Sequence, residues 1–226
     1  MELLYDGKTK TVYALEEDQV LIRFKDDVTG TEAGIDPGAN EVIGQLAGKG
    51  RIALQQSAYF FDLLEAHGVP THFVSADPEQ DAMVARKAIW YGLEFVVRFQ
   101  AWGSFVRRYG RYVREGQALG GLVEITLKDD ERGDPLVLDE TLAVLGIMSL
   151  HEVREARELV RKAAGVLRTD LSSKGIELID LKFECGRVGD RLAIIDDIST
   201  DNMRIFRGGE PVGPAALLRI TTGQEP

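Results

Sequence analysis

The chain has 226 residues, 44% of them hydrophobic and 28% charged, with a formal net charge of −10. That composition suits a soluble globular protein long enough for one large domain or two small lobes. A surface of that sign repels a polyanion, so nucleic-acid binding is not expected. No apolar run approaches the roughly 20 residues that span a bilayer, and residues 1–6 carry no secretory pattern. The single cysteine, Cys185, leaves no internal disulfide, and His67, His72 and His151 are too scattered for zinc spacing. No membrane partner and a cytoplasmic, reducing compartment are expected.

Taken in chain order, residues 11–15 and 20–24 read as strands around a Glu16-Glu17-Asp18 turn. Residues 26–50, rich in Gly, Thr and Asp, read as a long functional loop. A helix is expected over 55–67 from Phe60, Phe61, Leu63 and Leu64, ended by Gly68 with Pro70 beyond. Residues 69–100 read as several strands, 93–99 among them, and a second strand pair is expected near 111–128. The clearest helix is 150–174: Ser149 and Glu152 form a capping-box signature, and Val153, Ala156, Val160, Ala163, Leu167 and Leu171 make one apolar stripe. Strands at 176–184 and 192–198 follow around a short turn. Hairpins with segregated helices point to an α+β fold, with a candidate hinge between residues 84 and 93.

The most informative stretch is Ile179-Asp180-Leu181-Lys182-Phe183-Glu184-Cys185-Gly186. Strand alternation puts Asp180, Lys182 and Glu184 on one face, which on pattern alone is most simply a solvated face. The next strand, however, ends an apolar run with Asp196-Asp197, and an unpaired carboxylate toward the core would cost several kcal/mol. One of these acids should sit near Glu184, and two carboxylates with a lysine make a plausible Mg²⁺ and phosphate site. Gly7-Lys8-Thr9-Lys10 lies in a hairpin, which excludes a Walker A loop but allows a flap over phosphates. Arg98 and Ser104 suit an anionic ligand; the simpler alternative for Arg98 is a salt bridge to Glu94 or another acid. The turn at 128–135 needs no function.

In order along the chain, Gly7-Lys8-x-Lys10-x-Val12-Tyr13, Glu94-x-x-x-Arg98 with Gly103-Ser104, Lys128-Asp129-Asp130 with Gly133-Asp134-Pro135, Asp180-x-Lys182-x-Glu184-x-Gly186 and Asp196-Asp197-x-Ser199-x-Asp201-x-x-Arg204 resemble the SAICAR synthetase family, as does Val69-Pro70-Thr71-His72-Phe73. The resemblance implies a two-lobed, ATP-grasp-like α+β fold with antiparallel sheets and ATP between a β-rich lobe, 1–86, and an α+β lobe, 87–226. It implies ATP and Mg²⁺ as cofactors. Lys8, Lys10 and Lys182 would meet ATP phosphates, and Glu184 and Asp196 would hold Mg²⁺. Lys182, Lys10 and Asp196 would be catalytic. Arg98, Ser104 and Arg204 would hold the nucleotide substrate, and Asp129 would line the aspartate or metal region. The implied reaction joins 5-amino-4-carboxyimidazole ribonucleotide to L-aspartate through a phosphorylated carboxylate; a homo-oligomer is compatible with the family.

Departures from the family pattern cluster on the substrate side. Phe99 and Trp102 stand in the substrate turn, where bulky aromatics are expected to crowd it, and Gly30-Thr31-Glu32-Ala33 replaces a glycine-rich loop. Asp197 replaces a glutamate, Thr200 a proline, an asparagine is lost near Ala53, and the Gly/Pro-rich tail after Arg204 is expected to lack the usual final helix. Two alternatives therefore stand beside the main reading: a related ligase of nucleoside natural-product synthesis, and a nucleotide-binding homologue without catalysis.

Overall fold

The computed structural model describes residues 1–15, 18–31, 34–35 and 41–224. The elements in the first part are β1 (Leu3–Asp6), β2 (Lys10–Ala14), β3 (Gln19–Phe24), β4 (Asp27–Thr31), β5 (Gly34–Ile35), β6 (Glu41–Gln45), α1 (Lys49–Ala66), β7 (Phe73–Asp77) and β8 (Ala82–Arg86). There follow β9 (Ile89–Gln100), α2 (Gly103–Tyr109), β10 (Ala118–Leu127), a 3-10 turn at Asp130–Arg132, α3 (Asp139–Val144) and α4 (Leu150–Ser173). The last are β11 (Glu177–Val188), β12 (Arg191–Ile195), β13 (Met203–Arg207), β14 (Glu210–Pro211) and α5 (Pro214–Thr222). The expected turn at Glu16-Glu17-Asp18 and the Gly30–Ala33 substitution lie partly outside the described residues.

Among the described residues the strands form three antiparallel sheets. The first has the order β1-β2-β3-β8-β7, the second β10-β9-β11-β13-β14 with β12 also on β11, and the third β5-β4-β6. The α+β class is as expected, and no helix among the described residues is long and apolar enough to cross a membrane.

α4 forms as its pattern dictates. The Ser149 hydroxyl accepts from the Glu152 N–H and the Glu152 carboxylate accepts from the Ser149 N–H, completing the capping box. Its stripe of Val153, Ala156, Val160, Ala163, Leu167 and Leu171 is buried against β9, β10, β11 and β12, where Phe95, Phe183 and Leu181 face it from the core. The second sheet therefore has an apolar side under α4 and a charged side turned away from it.

Three expectations are corrected. Residues 26–50 are not a long loop: β4 pairs with β6, and α1 begins at Lys49, ahead of the expected start at residue 55. Its N-terminus lacks a local cap. The Asp26 carboxylate serves instead, accepting from the N–H groups of Gly48 (3.1 Å) and Gly50 (2.9 Å), a partnership across 22 or more residues that local pattern does not reveal. Gly50 is needed because a Cβ there would lie 3.0 Å from the Phe24 backbone. Residues 111–128 hold one strand, β10, paired with β9; the stretch ahead of it is taken up by turns that follow α2, with the Val113 N–H donating to the Tyr109 carbonyl and the Gln117 N–H to the Arg114 carbonyl. The tail does carry a helix: Pro214 opens α5, Gly223 closes it with φ 73°, and Leu217 and Leu218 are buried, with α1 as the main neighbour.

Truncating the α4 stripe by Leu167→Ala should cost about 2–5 kcal/mol, and Ser149→Ala about 1 kcal/mol. Urea denaturation reads both as a lowered midpoint at unchanged slope; an equal effect of the two would contradict the assignment of Leu167 to the core.

Candidate active site

The charged side of the second sheet is built by register. Arg98 of β9 stands opposite Leu122 of β10 and Asp180 of β11, Val96 opposite Glu124 and Lys182, and Glu94 opposite Thr126 and Glu184. Because side chains alternate, Glu94, Arg98, Glu124, Asp180, Lys182 and Glu184 share one face, and Arg204 joins them opposite Asp180. Asp180, Lys182 and Glu184 thus share a face as the sequence indicates, but it is no solvated surface: Asp180, Glu94, Arg98 and Glu124 are buried.

At one end, Arg98 is enclosed. Its Nε donates to Glu124, Nη1 to Asp180 (3.0 Å) and Nη2 to the Ser104 hydroxyl (3.0 Å). The salt-bridge alternative for Arg98 therefore holds structurally, with Glu124 and Asp180 in place of Glu94. Arg204 donates to Asp180 (2.8 Å) from the next strand. Gly103, with φ 50°, lets Arg204 come close: a Cβ would stand 2.9 Å from its Nη2. Trp102 packs its ring on Phe206 at 5.0 Å. Phe99 turns to the opposite side of the sheet, under the Arg168 guanidinium of α4 at 4.6 Å, so it does not crowd this turn as expected.

At the other end, Lys182 donates to Glu94 (3.0 Å) and Lys128 pairs with Glu94 (3.4 Å) and Asp130 (2.6 Å). Asp130 also pairs with Lys8 of the first hairpin. Asp129 does not face these lysines. Its carboxylate accepts from the Arg132 N–H (3.2 Å) and Arg132 Nη1 (2.8 Å), so it closes its own turn, and its neighbour Asp130 reaches the site.

Between the ends, Lys10 at the start of β2 pairs with both Asp196 and Asp197. Adjacent strand residues would point to opposite faces. Asp196 escapes that rule through a left-handed backbone, φ 69°, which Asp tolerates better than most residues. The loop bearing the acids is fixed by α1: the Ile198 N–H donates to the Ser57 hydroxyl (3.2 Å), the Thr200 N–H to Gln56 (3.0 Å), and Lys49 pairs with Asp201. The Ser199 hydroxyl donates to Asp197 (2.7 Å).

The electrostatics follow. Burial opposes charging Lys10, but Asp196 and Asp197 outweigh it and hold the ammonium well above its ordinary range. Burial likewise opposes charge on Lys182, and Glu94, Glu184 and Asp196 reverse the effect. Both are permanent cations near neutrality. Despite burial, Lys10 and Ser199 hold Asp197 well below the usual carboxylate range. Two carboxylates go the other way: burial raises Asp196 in spite of Lys10, and burial with the neighbouring Asp196 pushes Glu184, which accepts no hydrogen bond from the described residues, up to about 8. Among these residues no group of three metal-ligating side chains occurs. Mg²⁺ usually takes one or two protein carboxylates and fills its shell with water and phosphate, and the part-exposed Glu184 beside Asp196 fits such a donor pair.

The chain matches the family model described as SAICAR synthetase over residues 3–214. It is 44% identical over 224 residues to the phosphoribosylaminoimidazole-succinocarboxamide synthase of Clostridium tetani, covering 97% of this chain and 99% of the relative. The protein belongs to the SAICAR synthetase family. The Sulfurisphaera tokodaii synthase is 38% identical, over 91% of this chain and 84% of its own. Among solved structures, a SAICAR synthetase in complex with ADP superposes with a TM-score of 0.90 at 30% identity, over 100% and 99% of the two chains. The Pyrococcus horikoshii SAICAR synthetase gives 0.85 at 29%, over 96% and 99%.

The sequence motifs of the SAICAR synthetase resemblance thus converge in space: Lys10, Lys182, Glu184 and Asp196 in the middle, Arg98, Ser104 and Arg204 at one end, Lys8 at the other. Sequence reasoning missed Lys49 and Glu124, and gave no site role to Glu94, Lys128 and His72, although all three stand in the motifs of the resemblance. Glu94 and Glu124 carried a signal, since both are acids on the same strand face as Arg98 or opposite it. Lys49 carried none.

Glu184 also sets a pH dependence. The folded chain keeps its carboxyl proton up to about 8, whereas an unfolded chain loses it near about 4.3. Between those values the unfolded state binds fewer protons, so stability falls as pH rises through the window. His72, held down to about 4 by burial, acts in the opposite sense up to about 6.5; above that, metal-free protein should melt lower at about pH 8 than at about pH 7, and Glu184→Gln should flatten that slope. An identical slope in the variant would refute the assignment.

Proposed function

We propose that this chain is an ATP-dependent carboxylate–amine ligase that condenses 5-amino-4-carboxyimidazole ribonucleotide with L-aspartate to give SAICAR. The observation that carries the reading is the convergence of two permanent cations, Lys10 and Lys182, with two elevated carboxylates, Glu184 and Asp196, on one patch of the sheet. ATP would lie between a first lobe, residues 1–86, and a second, 87–226, with the cytoplasm as its compartment. Every strand of the first sheet precedes residue 87 and every strand of the second follows residue 88, and Lys8 and Lys10 extend from the former toward the acids of the latter. The match to a SAICAR synthetase in complex with ADP supports the nucleotide.

A carboxylate oxygen is a poor leaving group. Its attack on the γ-phosphorus of ATP forms a C–O–P linkage and releases ADP; the aspartate amine then attacks the acyl carbon, the phosphate leaves, and the amine loses a proton. Lys10 and Lys182 are charged throughout, so their role is to offset negative charge on the transferring phosphoryl group, a task for preorganised charge and not for proton transfer. Glu184 and Asp196 would hold Mg²⁺, which supplies further neutralisation of the phosphates when bound. Ser104 and Arg204 would meet the anionic end of the ribonucleotide, and Arg98 orients both through Ser104 and Asp180. Orienting the two substrates is itself a large share of such catalysis. Cys185 is buried, and burial pushes its thiol above the ordinary range, so it takes no part.

ADP release by purified protein with Mg²⁺, ATP, the carboxyaminoimidazole ribonucleotide and L-aspartate tests the reading. Turnover should require both substrates; tight ATP binding without turnover on this pair would reject it. Lys182→Met should lower kcat by roughly 10²–10³-fold, and Glu184→Ala should abolish ATP turnover. Gly103→Ala strains a left-handed backbone and drives Arg204 aside. Its expected effect is about a tenfold rise in KM for the ribonucleotide, the scale of 1–3 kcal/mol of strain, with KM for ATP unchanged. A change confined to ATP would misplace Arg204.

A further inference from the structure

The segment between α1 and β7 is tied to the acid-bearing end of β12. The Ile194 N–H donates to the Pro70 carbonyl (3.0 Å) and the His72 N–H to the Ile194 carbonyl (3.0 Å), making an isolated parallel bridge at Thr71. From the first sheet, the Arg86 N–H donates to the His72 carbonyl (2.7 Å) and its guanidinium to the Thr71 carbonyl (3.1 Å). One further bond leaves this brace: His72 Nε2 lies 3.1 Å from the carbonyl oxygen of Asp196. A carbonyl only accepts, so Nε2 carries the proton. The ring is 3% exposed and stands edge-on to Phe61 at 5.4 Å.

Asp196 is held where its own preference does not put it. Left-handed backbone costs a residue with a side chain roughly 1–2 kcal/mol, and such a conformation persists only where the surroundings over-determine it. Ile195 is fixed before the turn by pairing with Glu184, and Ile198 after it by Ser57. In between, the His72 imidazole is the only donor to the Asp196 carbonyl among the described residues. Without it, the peptide after Asp196 is released to rotate back toward strand geometry, where the carboxylates of Asp196 and Asp197 would diverge and only one would meet Lys10.

We propose that His72 is a positioning residue of the metal–nucleotide site, acting through the Asp196 carbonyl to keep the two carboxylates convergent while touching no reactant itself. The inference rests on the assignment of Asp196 to Mg²⁺ made above. A hydrogen-bond partner one step behind a metal ligand is worth roughly 10- to 100-fold in metal affinity, and His72 should contribute on that scale.

The test is ADP affinity by titration calorimetry, in Mg²⁺ and again in EDTA. Wild type should bind more tightly in Mg²⁺; no such gain would overturn the metal assignment, and this inference with it, before any variant is compared. His72→Phe keeps a ring against Phe61 but removes the donor. It should lose roughly 10- to 100-fold of affinity in Mg²⁺ while binding in EDTA is unchanged. His72→Gln places an amide N–H at the reach of Nε2 and should restore the Mg²⁺ gain even if the fold is less stable. A packing role predicts the reverse ranking, and finding it would overturn the proposal with the metal assignment intact. Should the phenylalanine variant not fold, His72→Asn, whose amide is too short to reach the carbonyl, should show the same loss; a wild-type Mg²⁺ gain in it would refute the role.

Discussion

Lys10 is an ammonium removed from most of its water, and the site takes its form from that fact. An ion so placed carries a desolvation penalty of several kcal/mol, which only well-placed opposite charge offsets. Two acids on adjacent residues can supply it only if strand alternation fails between them, and the left-handed Asp196 is where it fails. The same demand recurs around it: Lys49 has Asp201, Lys182 and Lys128 share Glu94, and Arg98 lies between Glu124 and Asp180. Burial drives the Glu184 carboxyl up, with the neighbouring Asp196 adding to it and no donor among the described residues offsetting it, whereas Lys10 and Ser199 pull Asp197 down in spite of burial.

These pairs also join the two sheets. Lys10 begins a strand of the first and its acids end a strand of the second; Lys8 and Asp130 repeat the arrangement at the rim. In the proposed reaction, phosphates and a divalent cation would enter together. The incoming anion competes for Lys10 and Lys182 while the incoming cation suits the carboxylates they leave, so net charge in the site changes little even though every partner can change. Ion pairs facing the cleft can make such an exchange, while the apolar cluster shared by both parts of the chain stays buried.

What was legible in the chain was what local pattern encodes. α4 was readable from its capping box and its three- and four-residue stripe, and the charged face of β11 from alternation. The strands of 27–45 were hidden because Gly, Thr and Asp carry turn signals that tertiary pairing overrode. α1 started early because its cap, Asp26, is distant in sequence. α5 was discounted for its Gly and Pro, although Pro at the start and Gly at the end of a segment mark a helix more than they exclude one. Burial of Arg98 was foreseeable only as an alternative, since whether an arginine meets a ligand or an acid depends on which strands lie beside it. His72 stood in a family motif without a role, and Lys49 had no local signal: their meaning comes from a carbonyl at Asp196 and a carboxylate at Asp201.

The departures from the family pattern can be weighed by where the side chains go. Phe99 follows Arg98 on the same strand, so alternation sends it to the α4 side, where Arg168 covers it; it cannot narrow a pocket on the other face. Asp197 is one methylene shorter than the glutamate it replaces, yet it still reaches Lys10 and Ser199 because Lys10 itself leans across from β2. Trp102 is different. Its ring lies on Phe206, two residues beyond Arg204 on β13, so it forms a wall beside the residue proposed to hold the ribonucleotide's anionic end. Of the substitutions whose side chains are described, it is the one with a path to the substrate. That path runs through the shape of the pocket beside Arg204 and leaves the phosphoryl-transfer centre at Lys10, Lys182, Glu184 and Asp196 untouched.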